Sequence, residues 1–195
     1  MKKPLLVIVS GAPGSGKTTL ASRLADYMRL PHIERDTVLR GLEFTKGTVD
    51  KAKEGVPIYY GQLKNMIDAG ISLVTDGTLY KNVSEQDIKT QLVPHTIAIN
   101  VHARAQNEHQ RFYDREMNRR GVPKEWNKWL ESHMDHLKKI YSSTVEPLDL
   151  GIPLLEVDTN DEYNPEIGEI AAQIREMYTG EPRDLWGVIP QTELQ

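Results

Sequence analysis

Residues 11–19 read Gly11-Ala12-Pro13-Gly14-Ser15-Gly16-Lys17-Thr18-Thr19, and this order of residue types suits one task, the binding of a polyphosphate. Gly11, Gly14 and Gly16 let the backbone take positive φ values and approach an anion closely, so that successive N–H groups converge on phosphate oxygens. Lys17 adds a point charge for β- and γ-phosphates, and Thr18 offers a hydroxyl to Mg2+. A helix starting here would aim its positive end at the same phosphates. At ordinary glycine frequencies the pattern arises by chance on the order of once in a thousand chains of this length. A nucleoside triphosphate is the expected ligand, with Gly11 to Thr19 as its binding loop.

Two aspartates stand where strand-like runs end. Asp36 could accept the proton of an acceptor hydroxyl held near the γ-phosphate, or could merely cap the helix that follows it. Asp76 closes an apolar run and could hold Mg2+ directly or through water, while Asp76-Gly77 is also a turn dipeptide. Arg111, Arg115 and Arg119 recur every four residues with Arg120 beside them. Like charges so spaced repel by a few tenths of a kcal/mol, a cost that a polyphosphate would remove. The alternative is a solvated face offset by Glu108, Asp114 and Glu116. With the glycine loop present, Arg115 and Arg120 are the expected lid residues that neutralise transition-state charge. Trp126, Leu130, Met134 and Leu137 form a helical stripe expected in the core, and Trp129 could stack on a base. His133 and His136 lack the further ligands of a metal set, and packing is the expected role of Tyr59 and Tyr60.

These groups need a scaffold. Leu5 to Ser10 is an apolar run bounded by the glycine loop, and Leu20, Leu24, Tyr27 and Met28 then recur at helical spacing up to Pro31. Short strands are expected at Pro31–Arg35, Ile71–Asp76, His95–Val101 and Leu154–Asp158, with a brief helix at Thr37–Leu42 and longer ones near 58–69, 84–92, 105–120, 123–145 and 165–177. The stretch Thr45–Pro57, with two glycines and three lysines, reads as a mobile loop. Strands alternating with helices predict an α/β fold, a parallel sheet covered on both faces with ligands at the carboxyl ends of its strands.

The 195 residues carry a net charge of −4, are 38% hydrophobic and 27% charged, and include no cysteine. A single domain over 1–195 is expected, with a lid near 105–125 and a tail over 179–195 without assigned structure. No stretch approaches the roughly 18 apolar residues of a membrane span. The basic start runs straight into a strand-like segment rather than a signal peptide, so a cytoplasmic location is expected. Disulfides, thiolate metal sites and a cysteine nucleophile are excluded. The acidic balance argues against an extensive nucleic-acid footprint, although a local basic groove would escape that argument.

Taken together, Val9-Ser10-Gly11 through Thr19, Ile33-Glu34-Arg35-Asp36, Val74-Thr75-Asp76-Gly77-Thr78, Arg115 through Pro123, and Leu155-Glu156-Val157-Asp158-Thr159 resemble small P-loop kinases related to polynucleotide 5′-hydroxyl kinase, the zeta toxins and chloramphenicol phosphotransferase. The resemblance implies a three-layer P-loop kinase fold with a five-stranded parallel sheet in the order 2-3-1-4-5 and a helical lid. It also implies ATP with Mg2+, Asp36 as base, an arginine lid, and Asp158 and Thr159 close to the adenine. Arg35-Asp36 and Arg119 to Pro123 look more like the polynucleotide kinase branch. That branch often places an arginine three residues after the base; here that position is Leu39, and Arg40 follows it. The resemblance implies a hydroxyl acceptor, first a polynucleotide 5′-end or a nucleotide-like molecule, next a small alcohol or a zeta-toxin-like substrate. Outside the enzyme class, a slow ATPase switch signalling through residues 45–57 is the competing expectation.

Overall fold

The structure, a computed structural model, describes residues 2–118, 128, 132 and 144–179. Strand β1 (Leu5–Ser10) is buried along its whole length, as an apolar run must be when both faces of its sheet are covered. Leu5, Val7 and Val9 face one layer, and Leu6 and Ile8 face the other. On the first face they meet Leu20 and Leu24 of helix α1 (Lys17–Met28) and Ile170 and Ile174 of α6 (Ile167–Thr179), the last helix among the described residues. On the second they meet Tyr59 and Leu63 of α3 (Val56–Asp68) and Ile88 of α4 (Ser84–Gln91).

Strands β2 (His32–Glu34), β3 (Leu73–Asp76), β4 (Ile97–Arg104) and β5 (Leu154–Asp158) complete a five-stranded sheet in the order β2-β3-β1-β4-β5. Every pairing is parallel, with Val9 opposite both Asp76 and Val101. The carboxyl ends of β1, β2 and β3 therefore converge on one edge. Helix α2 (Arg35–Lys46) follows β2 there, and α5 (Glu108–Met117) follows β4. This is the α/β P-loop kinase fold that the resemblance implied. No helix among the described residues is long and apolar enough to cross a membrane.

The boundaries differ from expectation at instructive places. β2 is shorter than Pro31–Arg35, and the helix after it runs twelve residues instead of six. Asp36 lies in the first turn of α2; the N-cap position is Glu34, and no side chain caps the helix. The capping alternative for Asp36 is thereby removed. Thr45–Pro57, expected as a loop, is largely helical. α2 extends through Lys46, a π-helical turn spans Lys51–Gly55, and α3 begins at Val56. The Asp50 carboxylate accepts the N–H groups of Ala52 and Lys53, both at 3.1 Å, and ion pairs join Lys46 to Glu54 at 3.1 Å and Lys51 to Glu43 at 3.0 Å. Gly55 packs closely against Leu39: a Cβ there would fall 2.2 Å from Leu39 Cδ2, the end of a side chain that would have to shift. β4 starts at Ile97 because Val93–His95 forms a 3-10 turn. Arg119, Arg120, Pro123, the tryptophan-bearing helix with Trp126 and Trp129, His133, His136 and the tail beyond Thr179 lie outside the described residues.

Candidate active site

The glycine loop takes the conformation its spelling predicts. Gly11, Gly14 and Gly16 have φ values of 145°, 88° and 79°, which only glycine adopts without strain. Added side-chain atoms would also collide, since a Cβ on Gly14 would lie 2.0 Å from the Glu108 carbonyl oxygen and one on Gly11 2.5 Å from that of Ala103. The loop is thus pressed against the end of β4 and the start of α5. Ser15 N–H donates to the Ala12 carbonyl at 3.1 Å, while Ser15 Oγ is buried without a hydrogen-bond partner. An orphaned hydroxyl among converging N–H groups suits an incoming phosphate oxygen.

Lys17 is buried, and its Nζ donates to the Ala12 carbonyl at 3.4 Å. Burial holds its pKa below the usual lysine range, opposed by the negative charges of Asp76 and Asp36; Arg115 lowers it further and Glu108 raises it. All four charged groups lie within electrostatic reach of one ammonium. The structure thereby brings together Lys17, Asp36, Asp76 and Arg115, residues drawn from four separate elements.

Asp76 is fully buried and bonded at both oxygens. Thr18 Oγ1 donates to its Oδ2 at 2.6 Å, and His32 Nε2 lies 2.7 Å from its Oδ1. Because the Thr18 proton is given to the carboxylate, the lone pairs of that hydroxyl are left for a cation. Thr18 and Asp76 are hard oxygen donors beside a phosphate loop, the set that suits Mg2+.

Arg115 lies over the Phe112 ring at 5.3 Å and donates to Glu116 at 3.1 Å. Arg111 Nη1 donates to the Thr159 carbonyl at 3.4 Å. A cavity of about 440 Å³ opens beside the loop, lined among others by Gly16, Thr19, Arg23, Arg111, Thr159 and Tyr163. The Thr159 hydroxyl lies within bonding range of the Ser15 and Arg104 carbonyls, which ties β5 to the loop. Asp158 does not line the cavity; its carboxylate accepts two N–H groups of Asn160 at 2.8 Å and shapes the turn that does.

Sequence reasoning missed Glu108 and His32. Glu108 Oε1 accepts the Ala105 N–H at 2.9 Å, and burial raises its carboxyl pKa. Its position at the start of a charged helix resembled a routine first-turn acid. His32 shares a strand face with Glu34, which pairs with Asp76, and that alternation was the available signal. A third unpredicted cluster underlies the loop. Ser10 Oγ lies 2.9 Å from Asn100 Oδ1 and 3.0 Å from His102 Nδ1, and His102 Nε2 donates to the Val145 carbonyl at 3.0 Å. Burial lowers the His102 pKa, which favours the neutral ring. Tyr59 and Tyr60 are core residues: the Tyr59 hydroxyl bonds Thr75 Oγ1 at 2.8 Å, and burial pushes the Tyr60 phenol up to about 12.

The model of the AAA_33 family, described as an AAA domain, matches residues 6–136. Over 38 residues, which make up 20% of each protein, the chain is 53% identical to a cytidylate kinase of Halobacterium salinarum. It therefore spans only a fifth of the length of that curated relative. Among solved structures, a protein provisionally called a kinase from Chloroflexus aurantiacus J-10-fl superposes with a TM-score of 0.70 at 23% identity, covering 90% of this chain and 96% of its own. Kti12 of Chaetomium thermophilum, in complex with ADP-AlF3, superposes at 0.62 and 19% identity over 90% of this chain and 100% of its own. At such identities the likeness is one of fold.

Proposed function

The chain belongs to the AAA_33 family, and from that premise we propose that it is an ATP-dependent kinase that transfers the γ-phosphoryl group to a hydroxyl acceptor. The observation that carries this reading is the buried Lys17 of the glycine loop, with Asp36, Asp76, Arg115 and Glu108 within electrostatic reach of it. A site that only bound nucleotide would have no use for a base on the acceptor side.

Gly11 to Thr19 cradle the triphosphate, and Lys17 neutralises charge that develops as the γ-phosphoryl group leaves the β-phosphate. Thr18 and Asp76 would hold Mg2+, which when bound offsets charge on the β- and γ-oxygens. Asp36 orients the acceptor hydroxyl and takes its proton while the new O–P bond forms in line with the breaking one. Products are ADP and the phosphorylated acceptor. Arg115, and by sequence Arg120, supply positive charge from the lid, and the cavity beside Thr159 receives the base of the nucleotide.

For the acceptor, the polynucleotide 5′-hydroxyl or a nucleotide-like molecule is the first reading, carried by Arg35-Asp36. A specific observation favours the second, a small-molecule alcohol. Residues 34–54 hold five basic and five acidic side chains, and the cations are engaged locally. Arg40 pairs with Glu34 at 3.2 Å, Lys46 with Glu54, Lys51 with Glu43, and Lys53 with Asp50 at 3.7 Å, while Arg35 donates to the Thr78 carbonyl at 3.1 Å. Leu39, where the polynucleotide branch often has arginine, is buried against Gly55. Such a surface offers a phosphate backbone little unspent charge. Residues 45–57, through which a switch would signal, are largely helical.

Incubation with γ-labelled ATP and a panel of 5′-hydroxyl DNA, RNA, nucleosides, sugars and antibiotic alcohols tests the reading. Label on an acceptor is expected. Phosphate release to water alone, across the whole panel, would contradict it.

A further inference from the structure

We infer that His32 is the positioning residue of the metal-side carboxylate, the group that sets how Asp76 presents itself to Mg2+ without itself binding the cation. This rests on the reading above that Thr18 and Asp76 form the Mg2+ side of the site. The geometry is local and complete. Parallel pairing sets His32 opposite Val74 and Glu34 opposite Asp76, so His32 lies on the strand face of Asp76, two residues behind it. Its imidazole reaches forward along the strand until Nε2 stands 2.7 Å from Oδ1.

The torsion that turns a carboxylate plane has only a broad, weak preference of its own. In Asp76 that freedom is removed from both ends, by Thr18 at Oδ2 and by His32 at Oδ1. Thr18 belongs to the phosphate loop and α1, and its own hydroxyl is one of the groups a metal would engage. His32 stands on the far side, on β2, and bonds no part of the loop. It is therefore the anchor that holds the carboxylate independently of the Thr18 hydroxyl, whose lone pairs would face the cation. Outer partners of this kind orient a ligating carboxylate, and losing one costs about 10–100-fold in metal affinity.

The consequence is a separation of two affinities. Nucleotide affinity without metal depends on the glycine loop and Lys17, which His32 does not touch. The gain in affinity on adding Mg2+ depends on Asp76 and hence on His32. Calorimetric titration of ADP and of a non-hydrolysable ATP analogue, across a Mg2+ series and in EDTA, reads both in the whole chain. His32→Leu removes the donor and His32→Gln retains one. The expected result for His32→Leu is a rise of about 10–100-fold in the Mg2+ concentration that half-saturates the affinity gain, with affinity in EDTA within about twofold and most of the gain restored in His32→Gln. If His32→Leu does not fold, His32→Asn, whose shorter amide stops short of Oδ1, is measured in its place. An unchanged Mg2+ half-point, or equal losses with and without metal, would overturn the inference. If the wild-type chain itself shows no Mg2+-dependent gain, the metal-side reading of Thr18 and Asp76 fails first, a result distinct from a normal wild type with an unaltered variant.

Discussion

Asp76 and Asp36 follow from neighbouring strands of one sheet, and their surroundings are opposite. Asp76 is fully buried, with a donor on each oxygen, and sits among groups that hold one another at 2.6–2.7 Å. Asp36 stands in the first turn of α2, half-buried, on a helix whose polar side chains pair along the surface. The contrast is the one that the proposed roles would require. A carboxylate that steadies a cation gains from rigidity and from full hydrogen bonding, because any rotation moves charge away from the phosphates. One that takes a proton must keep a free lone pair and room for an acceptor. The buried contacts hold Asp76, whereas α2 and the turn after it are joined by surface ion pairs and by Leu39 packed against Gly55.

The comparison can be broken most severely from the donor side. Lys17→Ala removes the only side-chain cation within the loop itself, and phosphoryl transfer is expected to fall by about 10²–10³-fold or more; labelled-ATP assays at saturating nucleotide read it. On the acceptor side the counterpart is Leu39→Ala, expected to lower unfolding free energy by about 2–5 kcal/mol through the cavity it leaves, with nucleotide affinity changed far less than stability. Denaturant titration and calorimetry on the same variant separate the two. Gly14→Ala forces a Cβ to within 2.0 Å of a backbone oxygen at a φ of 88°. Backbone strain of about 1–3 kcal/mol and a weakened grip on nucleotide are the expected result, visible as a lowered Tm and a raised Kd for ADP.

A subtler effect concerns His102 beneath the loop. Burial lowers its pKa below about 6.5, so as pH falls the unfolded chain takes a proton before the folded chain does. Stability at His102 is thus intact above about pH 6.5 and declines as pH drops from there toward the depressed folded value. Wild-type Tm should fall more between pH 7.5 and 5.5 than that of His102→Asn. The smallest effect is expected of Arg40→Ala, an exposed ion pair whose loss costs less than about 1 kcal/mol. With a small alcohol as acceptor, its kcat/KM should stay within about twofold; a large fall confined to oligonucleotide acceptors would instead make Arg40 a contact to the acceptor's phosphates.

The donor half was legible in the sequence because its chemistry is local. Nine consecutive residues determine a phosphate loop, and an apolar strand ending in aspartate marks Asp76. Strand order followed from resemblance, and alternation alone would have left it open. What escaped reading was set by contacts distant in sequence. Composition made residues 45–57 look mobile, whereas Asp50 capping, two ion pairs and the Leu39–Gly55 fit give them helical form. His32 meets Asp76 across 44 positions, and Glu108 meets the loop only because β4 returns there. Strand alternation places His32 on the face of Glu34 but does not name Asp76 as its partner, and the Glu108 contact leaves no trace in periodicity. Asp36 was found by residue type and motif, but its place inside the helix depended on α2 starting at Arg35, one residue before it.

The central claim, that Asp36 serves transfer and not binding, is tested most directly by Asp36→Asn. With an acceptor found in the labelled panel, transfer to it should fall by about 10²–10⁴-fold, while ADP affinity measured by calorimetry stays within about twofold of wild type. Undiminished transfer in the variant, or a loss of ADP binding that matches the loss of transfer, would contradict the account.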